Sequence, residues 1–120
     1  MLIFPPMFDI RQVDTMVCPP LGIAYLGAYV RDIVDVALLD CLVEANGRRS
    51  PVSEKIELVG LLYDDVLDRI RSYGPDMVGL SCLFSSQFVC VRELSRRIKQ
   101  ELDPDIRSEE HTSELQSLLI

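Results

Sequence analysis

Long apolar runs are missing from this 120-residue sequence: none approaches the roughly 18 to 20 residues that a membrane-spanning helix needs. Basic charge is short as well. Twelve Lys and Arg against nineteen Asp and Glu leave a formal charge of −7, which provides no footprint for nucleic acid. Histidine occurs once, at His111, and the four cysteines (Cys18, Cys41, Cys82 and Cys90) form no C-x-x-C pair and no zinc-finger spacing. No metal site is therefore assigned to the chain's own side chains. Scattered thiols of this kind fit small buried residues in a reducing cytoplasm. The start, Met1-Leu2-Ile3-Phe4-Pro5-Pro6, carries no charged segment and meets Pro-Pro at once, unlike a signal peptide.

What is present describes a packed globule. Hydrophobic residues make up 48% and charged residues 26%, a balance far from that of disordered chains. The length allows one domain, and a small one for a complete α/β sheet. The organising stretch is Pro75-Asp76-Met77-Val78-Gly79-Leu80-Ser81-Cys82-Leu83-Phe84-Ser85-Ser86-Gln87. Met77, Val78 and Leu80 form a brief apolar run after the Gly74-Pro75 turn signal, as expected of a central parallel strand covered on both faces. Phe88, Val91, Leu94 and Ile98 then recur at helical spacing, and Ser85 or Ser86 can cap that helix. In open α/β sheets ligands bind outside the carboxyl ends of the strands, so the hydroxyl-rich Ser81 to Ser86 turn stands at a ligand position as well as a capping one.

Taken in order, Leu2-Ile3-Phe4 ends a first strand, which Pro5-Pro6 stops because proline cannot donate to a ladder. Met7 to Cys18 reads as a loop of about a dozen residues, a length more often functional than not. Pro19-Pro20 opens a helix whose Leu21, Ala24, Tyr25, Ala28 and Tyr29 fall on one face, with Gly22 and Gly27 leaving room for a close approach to the sheet. Val34 to Leu39 is the second strand. Asp40 closes it, either as a turn former or as a partner for a ligand hydroxyl. Asn46-Gly47 is a turn, Arg48 to Pro51 an exposed loop, and Glu54 to Leu58 a short helix or an edge strand. A helix from Tyr63 to Tyr73 has Val66, Leu67 and Ile70 inward and Asp64-Asp65 at its positive end. The last helix, about Phe88 to Leu102, carries a basic face of Arg92, Arg96, Arg97 and Lys99 that reads as solvated surface. Strands separated by helical segments give an α/β fold, a flavodoxin-like (Rossmann-like) doubly wound parallel sheet. About three strands of the usual five are accounted for, leaving the far edge of the third unpaired.

Residues Arg107 to Ser117, Arg-Ser-Glu-Glu-His-Thr-Ser-Glu-Leu-Gln-Ser, break this pattern where another apolar strand is due. The string looks like a sequencing-library adapter translated in frame, so 107–120 are expected to be a non-native tail and His111 is given no role.

Three features together resemble one family: Phe4-Pro5-Pro6 ending strand one, Pro19-Pro20-Leu21-Gly22-Ile23-Ala24-Tyr25-Leu26 opening the first helix, and Pro75-Asp76-Met77-Val78-Gly79-Leu80-Ser81 entering the central strand. The chain is similar to the N-terminal cobalamin-binding domain of the B12-dependent radical S-adenosylmethionine enzymes. The resemblance covers nearly all of residues 2–106 and implies that 1–106 are a partial cobalamin-binding domain. It implies a corrinoid across the carboxyl ends of the strands, with Ser81, Cys82, Leu83, Phe84, Ser85 and Ser86 lining its nucleotide tail. Pro6, Met7, Leu21 and Gly22 would then approach the ring. An apolar ring with an amide and phosphate periphery suits apolar surface and small hydroxyl donors rather than charge. The Asp-x-His-x-x-Gly loop that ligates cobalt in other cobalamin domains has no counterpart in Met7 to Cys18, so imidazole ligation is not expected. The fourth-strand turn with paired glycines and the C-x-x-x-C-x-x-C motif are absent too. The [4Fe-4S] cluster and S-adenosylmethionine are therefore expected only in a downstream domain, and no catalytic residue is assigned here. Two other readings stand beside this one: a stand-alone flavodoxin-like binding or signalling module, and a non-functional truncated reading frame.

Overall fold

The computed structural model describes residues 1–11 and 19–102, with the backbone alone of 107–108. Its elements run β1 (Leu2–Phe4), β2 (Met7–Ile10), α1 (Leu21–Val30), β3 (Leu38–Asp40), α2 (Cys41–Glu44), β4 (Arg49–Pro51), β5 (Ile56–Val59), α3 (Tyr63–Tyr73), β6 (Met77–Leu80), α4 (Ser85–Glu101) and β7 (Arg107–Ser108). One sheet has the order β3-β1-β6-β7, all parallel, with Ile3 opposite Leu39 on one side and Leu80 on the other. The first strand in the chain thus lies in the middle, with the second on one side and the third on the other, as in the flavodoxin-like plan. The backbone of Arg107–Ser108 takes the place beside β6 that the sequence left unpaired.

Alternation along the strands divides the core between the two faces. Ile3, Leu39, Val78 and Leu80 pack with Val66, Leu67 and Ile70 of α3 and Val91, Leu94 and Ile98 of α4. Phe4 and Leu2 point the other way, with Ile23 of α1, Leu42 of α2 and Val59 of β5. Helices α3 and α4 therefore cover one face and α1 the other. The two larger helices are also joined by charge: Arg97 of α4 donates to Asp64 at 3.1 Å and lies 5.1 Å over the Tyr63 ring. The basic face of α4 is in this respect a seam with α3 and not only solvated surface.

The face of α1 that carries Leu21, Tyr25 and Tyr29 turns outward. Tyr25 and Tyr29 are 74% and 81% exposed, and Leu21 is exposed as well, whereas Ile23 and Gly27 are buried. Leu21 to Val30 contains no charged residue, so two stripes satisfy helical spacing and periodicity alone does not choose between them. Gly27 decides. A Cβ there would stand 3.0 Å from Leu38, so α1 approaches β3 on that side, while Gly22 has open space around it and permits no comparable approach. The second strand is shorter than Val34 to Leu39 because its partner β1 is only three residues long, and pairing is confined to Leu38–Asp40.

The second sheet was not legible as such. Met7–Ile10, expected as loop, pairs antiparallel with Ile56–Val59, which in turn pairs with Arg49–Pro51. The Glu54 to Leu58 alternative thus resolves as a strand, central in its sheet, and the Arg48 to Pro51 loop as its neighbour. Asn46 and Gly47 both have positive φ and form the expected turn. Glu57 holds the small sheet together by accepting from Arg49 at 2.5 Å and pairing with Arg11 at 3.4 Å. Among the described residues no helix is long and apolar enough to cross a membrane.

On α4, hydrogen bonds from Arg96 (2.7 Å) and Arg97 (2.9 Å) pull the Glu93 carboxyl down from 4.5 to about 2. A depressed carboxyl adds stability that is complete above its unfolded value and is lost as pH falls through its folded one. Thermal melts of wild type and Glu93→Gln are therefore expected to differ at neutral pH and to converge between pH 4.5 and about 2.

Candidate functional site

The carboxyl ends of β1, β3 and β6 are built from side chains with almost no charge. At β6 the parallel ladder continues one residue past the strand: the Ser81 amide donates to Ile3 O at 2.9 Å, and Ser81 is buried. Cys82 is also buried, its Sγ 3.8 Å from the Phe84 carbonyl. The chain then turns outward. Leu83 and Phe84 are 58% and 54% exposed, forming an apolar shelf at the mouth of the strand.

Neither expected serine cap forms. The N-cap position of α4 is Phe84, extended at φ −123° and ψ 147°, with no side-chain cap bond. Ser85 and Ser86 already lie inside the helix, too late to serve as caps, which must precede its first residue. The first turn of α4 also contains no acidic residue, in contrast to α3, whose first turn carries Asp64 and Asp65. The positive end of the longest helix is thus left open to an anion.

The residue that the sequence reading passed over is Gln87. It is 0% exposed, and its side-chain Oε1 accepts from the Leu83 amide at 3.1 Å while Nε2 donates to the Pro5 carbonyl at 3.4 Å. It thereby links the β6 turn to the end of β1. A Gln three residues after a helix N-cap that reaches back to a backbone amide resembles half of a capping box, shifted by one residue, since the amide is that of Leu83 rather than of the Phe84 N-cap. Phe84 in place of Ser or Thr hides that signature in the sequence.

Pro6 is buried and Met7 half-buried, at the step from β1 into β2, against which α4 packs. Gln87 at the start of α4 donates to Pro5, so the β1–β2 step that contains Pro6 and Met7 neighbours the segment that follows the Ser81 to Ser86 turn. Leu21 and Gly22 stand apart on the first turn of α1, a helix packed on β1 and β3. At the end of β3, Asp40 is a turn former: Oδ1 accepts from Leu42 N at 3.0 Å and Val43 N at 3.3 Å, capping α2. Its Oδ2 is buried and has no hydrogen-bond partner among the described residues.

Burial raises the thiols of Cys41, Cys82 and Cys90, with Asp40 adding to the effect at Cys41. Thiols kept protonated are poor nucleophiles and poor metal ligands. Cys18 and His111 lie outside the described residues. Among those described, no group of three or more His, Cys, Asp or Glu is placed to hold a metal ion. A cleft of about 400 Å³ opens between α2 and α3, lined by Glu44, Arg48, Asp65 and Arg69 among others. Its charges are spent on one another, Arg48 on Asp65 at 2.8 Å and Arg69 on Glu44 at 3.0 Å. It lacks the apolar lining of a small-molecule site.

Residues 10–107 match the family model for a B12 binding domain. An uncharacterized methyltransferase of Pyrococcus horikoshii is 28% identical over 105 residues, covering 85% of this chain and 20% of the relative. A cytidylyl-2-hydroxyethylphosphonate methyltransferase of Streptomyces wedmorensis is 31% identical over 90 residues, covering 72% of this chain and 17% of the relative. The chain thus spans a fifth or less of the length of these curated relatives. No solved structure matches.

Proposed function

The chain belongs to the B12-binding domain family, and on that footing we propose that it holds a corrinoid, cobalamin, across the carboxyl ends of β1, β3 and β6. The observation that carries this placement is the β6 turn: an exposed Leu83-Phe84 shelf running directly into the open, acid-free N-terminus of α4. The residues fit the group. The shelf suits the apolar ring. Asp40 at the end of β3 has an oxygen, Oδ2, without a donor among the described residues, and amides of the ring's periphery would supply one where binding uncovers it. The phosphate of the nucleotide tail would meet the first-turn amides of α4 beside Ser85 and Ser86. Pro6 and Met7 would border the ring from the β1 side, whereas Leu21 and Gly22 contribute at most its outer margin. When bound, the group supplies a cobalt centre competent for methyl transfer. This chain's residues bind and orient it, and none is assigned a catalytic role.

We further propose that in a longer protein this portion serves a B12-dependent radical S-adenosylmethionine enzyme of methyltransferase type. The iron–sulfur cluster and S-adenosylmethionine would be held elsewhere in that protein. The names of the two relatives support the methyltransferase part of that reading, and the fraction of them that this chain spans supports a longer protein; the radical S-adenosylmethionine part rests on the resemblance in the sequence. Residues 1–106 are read as the cobalamin portion, working in the cytoplasm, and 107–120 as an appended tail. Codons 107–117 that differ from adapter sequence would remove the last point.

Absorbance titration with hydroxocobalamin tests the placement, with a saturable one-to-one spectral change expected. Ser85→Asp sharpens it. An acid in the first turn of a helix is favourable by about 0.3–1 kcal/mol, so the thermal midpoint should hold or rise. The same charge facing a phosphate should weaken hydroxocobalamin about tenfold, the effect of about 1.4 kcal/mol between like charges a few ångströms apart. Unchanged affinity in Ser85→Asp, or copurification of a flavin in place of corrinoid uptake, would contradict the reading.

A further inference from the structure

Pro5 and Pro6 leave the end of β1 without backbone donors, because neither has an N–H. This step can therefore be tied down only through its carbonyls, although it leads straight into β2 and Met7. The donor that reaches it comes from another element, the Gln87 amide on α4, which at the same time fixes Leu83. We propose that Gln87 is a positioning residue of the cofactor edge, holding the β1 exit and the β6 turn at one fixed separation. This inference rests on the corrinoid reading for its purpose but not for its geometry.

Three features support a role beyond helix capping. A cap needs only the Leu83 bond, whereas the second bond spans 82 residues of sequence to Pro5. The amide is wholly buried, where an unsatisfied polar group is costly, so each half of the side chain is held to its partner. The two backbone groups it joins belong to the two segments proposed to border the ring, the β6 turn and the β1 exit. A ligand that touches both segments at once needs them in fixed register, so a loosened separation would weaken binding more than it weakens the fold.

The test uses the whole chain and two readouts. In wild-type protein the Gln87 side-chain NH2 protons should exchange slowly with solvent in NMR spectra, and rapid exchange would overturn the proposal before any variant is made. In ligand-free Gln87→Met, which keeps length and helix propensity but removes both bonds, the amide resonances of Leu83 and Met7 should both move. Movement of Leu83 alone would make Gln87 a plain cap and overturn the proposal. Hydroxocobalamin is then titrated at a temperature where Gln87→Met remains folded, and affinity should fall tenfold or more. An affinity equal to wild type would overturn the positioning role. Should wild type itself take up no hydroxocobalamin, the corrinoid reading fails and the NMR arms decide the linkage of the two turns on their own.

Discussion

Gly60→Ala is expected to cost more than about 2 kcal/mol of stability and to disturb the proposed cofactor edge in the same stroke. Gly60 follows β5 with φ +120°, a conformation that residues with a Cβ rarely adopt. Its surroundings allow no relief. An added Cβ would stand 3.0 Å from the Cys41 carbonyl oxygen and 3.0 Å from Pro6 Cβ. The Gly60 amide donates to Arg48 O at 3.0 Å and the Leu61 amide to Cys41 O at 2.9 Å, so the backbone is pinned on both sides of the position. Three segments meet there: the exit of β1, the end of β3 and the exit of β5. Chemical denaturation of Gly60→Ala should show the loss as a lowered midpoint, and hydroxocobalamin affinity should fall with it through displacement of Pro6. A midpoint within about 0.5 kcal/mol of wild type, the range of an ordinary surface change, would mean that this junction is looser than described.

Leu94→Ala should cost about 3 kcal/mol, within the usual range for removing a buried leucine side chain. Leu94 is fully buried in the cluster formed by Ile3, Val78, Leu80 and the inner faces of α3 and α4. At nine residues beyond Ser85, the start of α4, it lies about 14 Å along the axis from the helix end that adjoins the Leu83-Phe84 shelf. Its loss should therefore lower the unfolding midpoint without changing hydroxocobalamin affinity, provided binding is measured where the protein is folded. The two variants separate fold from site. Gly60→Ala affects both, Leu94→Ala only the first, and a binding defect in Leu94→Ala would show that the edge is not independent of the α3–α4 core.

The parallel sheet was readable because its parts announce themselves locally. Met77 to Leu80 is a short apolar run between turn signals, and α3 ends at a Gly74 with φ +66°, as a left-handed C-cap requires. The antiparallel sheet was hidden because its three strands are brief and mixed in polarity, and the pairing of β2 with β5 joins residues 46 to 52 positions apart, from Ile10↔Ile56 to Met7↔Val59. No local pattern specifies such a partner. For α1 the difficulty was excess: an uncharged ten-residue helix offers two apolar stripes, and only the tertiary contact of Gly27 with Leu38 selects one. At the proposed site, the rule that ligands meet strand ends points to the Ser81 to Ser86 turn, but the roles inside it differ from those expected. Ser85 and Ser86 are helix residues rather than caps. Gln87 carries the linkage, and the sequence does not show it because its two partners are backbone groups that leave no trace in side-chain pattern.

Amide NMR spectra of the chain recorded with and without hydroxocobalamin test the central claim most directly. Saturable shifts are expected, centred on Met7, Asp40 to Cys41 and Ser81 to Gln87, with the α2–α3 cleft unaffected. Shifts centred on Glu44, Arg48 and Asp65, or no saturable shift at all, would contradict it.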